Sequence, residues 1–188
     1  VYVSNSFVTD EALELMAPWV DVLCSDIKSL DNEFYKKICP RATVQQVLES
    51  VERAHQLGIH VETRTNVIPG YNDDPVMLKQ IAEWIHDHLG ADSPWHITRF
   101  FPAFKLSDVP PTPSESLWQA HAMAQEAGLT RVYVYDDKGC DCAEENLPVD
   151  AYLDADPDKL HEVKKCASDC CGEEGVLLKK YERQLQSG

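Results

Sequence analysis

No apolar run in the 188-residue chain approaches the roughly 20 residues that a membrane span needs, and no signal peptide precedes its first strand. Basic charge is scarce: 17 Lys and Arg stand against 32 Asp and Glu, a formal net charge of −15. That sign argues against a nucleic-acid backbone or an anionic membrane as the main partner, because both repel it. Together these absences favour a soluble cytoplasmic protein. No glycine-rich phosphate-binding loop is visible. Methionine is missing from position 1, where Val1 opens directly into the apolar stretch Val1-Tyr2-Val3. A natural chain rarely begins inside a buried strand, so the sequence reads as a fragment of a longer reading frame.

What is present supports a folded domain. A hydrophobic share of 44% is ordinary for globular proteins and is enough for one core, or for one domain with a tail. Strand-like and helix-like stretches alternate. The strands are expected over Val1–Val3, Val20–Ser25, His60–Val67, Trp95–Phe100 and Arg131–Tyr135. They are short, rich in β-branched and aromatic residues, and nearly continuous in apolar character, as strands buried on both faces require. Helices are expected between them. Thr9-Asp10 precedes Glu11–Ala17, Asp31 caps a turn through Lys37, and Thr43 caps Val44–Leu57 ahead of Gly58. Asp73-Asp74-Pro75 opens Val76–Leu89 ahead of Gly90, and Thr112-Pro113 opens Ser114–Ala127 ahead of Gly128. Cap residues before, proline in the first turn and glycine after are the expected asymmetry. A strand and a helix recurring roughly every 35–40 residues indicate parallel βαβ units. Five strands are too few for a closed eight-stranded barrel, so the sheet is open or is completed by strands ahead of Val1.

After Tyr135 both periods stop. Five of the seven cysteines lie between Cys140 and Cys171, within an acidic segment. Long amphipathic helices elsewhere speak against a secreted disulfide scaffold, so in a reducing cytosol the cluster suggests metal ligation first. Cys140, Cys142, Cys166, Cys170 and Cys171 are the candidate ligands, for zinc or an iron–sulfur cluster. Adjacent Cys170 and Cys171 cannot easily share one tetrahedral metal, which leaves one thiol spare. The alternative is a tail of unligated thiols. Cys24 and Cys39 read as ordinary core or edge residues.

Polar residues punctuate the strand ends. Asp26 and Lys28 are two apart and so face one way, at the end of the sheet where α/β folds place their sites; the alternative is a solvated ion pair at a strand end. Arg64 lies amid apolar residues and needs a partner, either a ligand carboxylate or an acid such as Asp26 or Glu62. Asn5 ends the first strand and is either a ligand contact or a helix-entry residue. His96 alternates with Ile97, which suits a satisfied core histidine.

The strings around these residues resemble a known family. Val3-Ser4-Asn5-Ser6-Phe7 is similar to the third-strand Thr-Asn-Gly segment of pyruvate formate-lyase activating enzymes, and Asp26-Ile27-Lys28 to their Asp-x-Lys segment. Arg64-Thr65-Asn66-Val67-Ile68-Pro69-Gly70-Tyr71-Asn72-Asp73 matches their Arg-x-x-Val-x-Pro-Gly-x-x-Asp turn. Trp95 to Pro102 resembles the next strand and, with Pro110-Pro111-Thr112-Pro113, looks closest to the radical enzyme of the AmmeMemoRadiSam system. Ser6 replaces the glycine of the pattern. The Cys-x-x-x-Cys-x-x-Cys loop that ligates a [4Fe-4S] cluster and the Gly-Gly-Glu segment are both absent.

The resemblance implies a radical S-adenosylmethionine oxidoreductase of the activating-enzyme kind, with residues 1–135 as the later part of a partial (β/α) TIM-like barrel and residues 136–188 as a small Cys-rich appendage. Asp26 would contact the ribose hydroxyls of S-adenosylmethionine and Lys28 its methionyl carboxylate, with Asn5 and Arg64 beside them. Arg99 and Phe101 would line the adenine end. In the complete enzyme, cluster ligands lie upstream, a 5′-deoxyadenosyl radical is generated, and the substrate is a small molecule or a protein. This chain alone would not turn over. Two rival readings use the same residues differently: a (β/α) isomerase or aldolase with Asp26, Lys28 and His96 in acid–base roles, and a noncatalytic metal-binding adaptor working through its cysteine tail. The fragment reading makes one prediction. Sequencing the coding region ahead of Val1 should reveal Cys-x-x-x-Cys-x-x-Cys after a strand, and an authentic start codon at Val1 would remove the enzyme reading of this chain.

Overall fold

A computed structural model describes residues 1–136. Five strands, β1 (Tyr2–Ser4), β2 (Val22–Asp26), β3 (His60–Val67), β4 (Trp95–Arg99) and β5 (Val132–Tyr135), form one open sheet in sequential order. Every neighbouring pair is parallel. The connections carry helices α1 (Asp10–Met16), α2 (Asn32–Ile38), α3 (Val44–Gln56), α4 (Pro75–Leu89) and α5 (Ser114–Glu126), with a 3-10 turn at Phe104–Leu106 in the last crossover. Among the described residues, no helix is long and apolar enough to cross a membrane.

The helix starts follow the polar residues that precede them. Thr9, Asp31 and Asp74 accept hydrogen bonds from Ala12, Glu33 and Met77 backbone N–H groups, and Thr43 with Gln46 forms a capping box. α5 departs from expectation. Its N-cap is Pro113 without a side-chain bond, because the Thr112 hydroxyl is engaged elsewhere: it accepts from Phe100 N at 2.7 Å and donates to Val67 O at 2.5 Å. At the far end of α5, Gly128 takes φ 94°, and a Cβ there would also meet the His86 ring at 3.1 Å.

The core lies on the helix side of the sheet. Leu23, Val61, Val67, Trp95 and Ile97 project there and pack with Val47, Val51, Ile81, Ile85, Leu117 and Ala120. The other face overturns the expectation of strands apolar on both sides. Along β3, alternate residues His60, Glu62, Arg64 and Asn66 share a face with Cys24 and Asp26 of β2, with His96 and Thr98 of β4, and with Tyr133 and Tyr135 of β5. This inner face is polar. β1 is an edge strand and is largely exposed, with Val3 at 57%, rather than buried.

The strand ends on the C-terminal side are cross-tied by buried side chains. Asn72, 0% exposed, donates from Nδ2 to Lys28 O at 2.6 Å and Asn66 O at 3.0 Å, and its Oδ1 accepts from Ile68 N at 2.6 Å. Thr65 donates to Ile27 O and accepts from the Trp95 indole. Replacing Asn72 with Ala leaves three backbone groups unpaired, at roughly 1–3 kcal/mol for each that stays dry. Urea unfolding should therefore show a loss of at least about 2 kcal/mol. A loss within about 0.5 kcal/mol, the size of an ordinary surface change, would mean that water takes over the role of the amide.

Candidate functional site

Three of the charged residues singled out in sequence, Asp26, Lys28 and Arg64, meet at one point. Asp26 is the last residue of β2, and Arg64 is its register partner on β3. Arg64 Nε donates to Asp26 Oδ1 at 2.7 Å, and Arg64 Nη2 lies 2.7 Å from the same oxygen. The other oxygen, Oδ2, accepts from Lys28 Nζ at 2.5 Å. Lys28 Nζ also donates to Asn5 Oδ1 at 2.9 Å, so Asn5 belongs to the same group. The carboxylate thus orients both cations. One ammonium hydrogen and three guanidinium hydrogens remain unspent.

Beside this group lies a cavity of about 520 Å³, within the roughly 300–1,000 Å³ of small-molecule sites. Its polar wall is Asp26, Lys28, Arg64, Asn66 and Thr98, and its apolar wall is Phe34, Ile38, Ile68 and Phe100. Tyr35 braces the rim: its phenol accepts from Lys28 N at 3.4 Å, and burial pushes its ionisation up to about 12.

Ser6 stands where the resemblance expects glycine, and the backbone explains the difference. It takes φ 55°, a left-handed conformation that costs a side-chain-bearing residue energy. Its buried hydroxyl lies 2.5 Å from that of Ser25, an interaction glycine cannot make. That pair offsets the strain.

Arg99 is not brought to this group. Register places it on the opposite face of β4 from His96 and Thr98, where it donates to Ser114 Oγ at 2.8 Å and pairs with Asp136, its own side chain only 9% exposed. Phe101 is exposed, and Phe100, one residue earlier, lines the cavity instead. The candidate ligands Cys140, Cys142, Cys166, Cys170 and Cys171 lie outside the described residues.

Sequence reasoning weighed His96 alone and did not foresee its partners. Its Nε2 lies 3.1 Å from Glu62 Oε2 and its Nδ1 3.0 Å from the Tyr135 hydroxyl, while its ring stacks on Tyr133 at 5.1 Å. The alternation His60-x-Glu62-x-Arg64 was the available signal. The two imidazoles, His60 foremost and then His96, hold the Glu62 carboxyl down to about 2 against the opposing effect of burial. Of the two, His96 makes the hydrogen bond, since His60 Nε2 stands 3.6 Å away.

A parallel α/β sheet with its cavity at the C-terminal edge of the strands defines the class: an open (β/α) partial barrel with a cavity at its strand ends. Comparison with known proteins makes this specific. Residues 1–82 match the profile of the radical SAM superfamily. An uncharacterized protein of Methanocaldococcus jannaschii is 42% identical over 134 residues, which make up 71% of this chain and 39% of that protein. The (2S)-3-sulfopropanediol dehydratase activating enzyme of Klebsiella oxytoca is 29% identical over 87 residues, 46% of this chain and 27% of the enzyme. In fold, a domain of a pyruvate-formate lyase-activating enzyme from Bacteroides vulgatus superimposes with a TM-score of 0.62 at 16% identity, covering 71% of this chain and 79% of that one. A radical SAM methyltransferase from Sphaerobacter thermophilus gives 0.58 at 13% identity, covering 71% and 39%. Residues 1–82 are thus similar to the radical SAM superfamily, and 87 residues of the chain are similar to an activating enzyme. The chain spans well under half the length of either sequence relative.

The Glu62 site makes a pH prediction. A carboxyl held below its unfolded value adds stability that is present above about 4.5 and is lost as pH falls toward about 2. In urea unfolding across that window, Glu62→Gln should show a shallower loss than the unsubstituted chain. Parallel curves would mean that Glu62 is not the group responsible.

Proposed function

We propose that this chain is the S-adenosylmethionine-holding part of a radical SAM enzyme of the activating kind. The observation that carries the reading is the convergence of Asp26, Lys28 and Arg64 on one cavity, with Asn5 bonded to Lys28, within a chain whose first 82 residues match that superfamily. The donor set suits the cofactor. Lys28 and Arg64 retain hydrogens for the methionyl carboxylate, and Asp26, with lone pairs beyond those it uses, accepts from the ribose hydroxyls. Phe34, Ile38, Ile68 and Phe100 offer the apolar wall that an adenine ring requires.

In this reading the roles divide by geometry. Lys28 binds the carboxylate, Arg64 fixes the Asp26 carboxylate so that it meets the ribose in one orientation, and Asn5 aims the Lys28 ammonium. The apolar wall keeps water from the sulfonium end. When bound, the cofactor supplies radical chemistry to a substrate, which for activating-type relatives is a protein.

The iron–sulfur cluster that such chemistry needs does not fit the described residues. Among them only Cys24 and Cys39 are cysteines, and no group of three or more ligating side chains is placed to hold a metal. The cluster ligands would come from elsewhere in a longer protein, in keeping with the greater length of both relatives.

The test is calorimetric titration of S-adenosylmethionine into the cluster-bearing protein. Lys28→Ala should weaken binding about ten- to a hundredfold, the equivalent of roughly 1.5–3 kcal/mol for a charge-assisted bond. Asp26→Asn should cost somewhat less. Unchanged affinity in both variants would reduce the group to a strand-end ion pair.

A further inference from the structure

A second polar group lies on the same inner face, on the side away from Lys28. It runs diagonally over three strands, from Glu62 on β3 through His96 on β4 to Tyr135 on β5, with contacts of 3.1 and 3.0 Å. Tyr135 is the register partner of Thr98, which lines the cavity. The bonds therefore run across the inner face to the strand beside Thr98. The Glu62 and His96 side chains are 9% and 15% exposed, whereas Tyr135 is exposed.

The direction of the protons follows from the donors and acceptors. The Glu62 carboxyl is ionised at neutral pH and can only accept, so His96 carries its hydrogen on Nε2. A neutral imidazole of that tautomer presents a lone pair at Nδ1, and the Tyr135 phenol donates to it. The stacked Tyr133 ring, 18° from coplanar, holds the imidazole plane. Among the described residues, the charged and titratable groups facing this unit are Glu62 and Arg64 from β3, Tyr133 and Tyr135 from β5, and His60 and Cys24 around Glu62.

We propose that Glu62, His96 and Tyr135 form a carboxylate–imidazole–phenol relay, in which Tyr135 exchanges a proton with a hydroxyl- or carbonyl-bearing substrate over β4 and β5 while His96 takes and returns that proton. The arrangement is that of a carboxylate orienting a histidine which in turn activates a hydroxyl, with a phenol in the hydroxyl's place. It does not rest on the adenosylmethionine reading, because none of the cofactor-facing residues takes part.

The relay is tested by exposing the 188-residue chain to p-nitrophenyl acetate near neutral pH. The Tyr135 oxygen bonds to the acetyl carbon, the ester bond to nitrophenolate breaks, the phenolic proton passes to His96 Nδ1, and nitrophenolate leaves. Peptide mass spectrometry should find acetyl on Tyr135 ahead of the other tyrosines, slowed at least about tenfold in His96→Gln and also slowed in Glu62→Gln. Undiminished labelling in both variants overturns the relay. Because either substitution can disturb the sheet, the unsubstituted chain carries a second readout. Nitrogen-15 NMR should show neutral His96 with its hydrogen on Nε2 and Nδ1 as acceptor. The opposite tautomer overturns the proposal whatever the labelling shows.

Discussion

The side-chain amide of Asn72 is the contact on which the working edge of this fold depends. Parallel strands end in backbone groups that have no neighbour once the chains diverge into their loops, and in a dry edge each such group is costly. Asn72 answers three of them at once, joining Lys28, Asn66 and Ile68. Thr65 and Thr112 do the same for Ile27, Phe100 and Val67. Three buried polar side chains thus hold the ends of β2, β3 and β4 in fixed relation. Lys28, Asn66, Ile68 and Phe100 all line the cavity, so the ties that stabilise the edge also fix the cavity's shape.

On that frame, charge is arranged by register. Asp26 and Arg64 are paired across the ladder, which puts two guanidinium nitrogens on one carboxylate oxygen at the inner face without any loop having to close over it. A half-buried carboxylate with both oxygens engaged is far less costly than one left alone, and the two cations it orders keep donors for a ligand. The Ser6–Ser25 hydroxyl pair works beneath the same loop. It holds the left-handed turn after Asn5 and with it the direction from which Asn5 reaches Lys28.

Much of this was legible. Strand positions and their parallel pairing, helix starts at Thr9, Asp31, Thr43 and Asp74, and the grouping of Asp26, Lys28 and Arg64 all follow from local rules: alternation, capping and strand-end position. What escaped was set through space. The polar inner face of β3 is written as alternation in His60-Val61-Glu62-Thr63-Arg64, but the threonines on its other side blur the period. They are buried by donating to backbone carbonyls, Thr63 to Pro94 O and Thr65 to Ile27 O, and so behave as core residues. Thr112 looked like a helix cap because its neighbours allow one. Only the approach of β3 and β4 reveals that its hydroxyl closes the strand ends instead.

Two arginines show how far a single register step reaches. Arg64 and Arg99 both sit near the C-terminal ends of buried strands and look alike in sequence. Arg64 pairs in register with His96, so Arg99, three residues further on, falls on the opposite face, beside Val67 rather than Asn66. There it meets Ser114 and Asp136 on the helix side and ties β4 to the start of α5. The same parity selects Phe100 over Phe101 for the cavity and Thr98 over Ile97 for its polar wall. On β4, then, His96 and Thr98 share the inner face, and Thr98 lines the cavity together with Phe100 just beyond the strand.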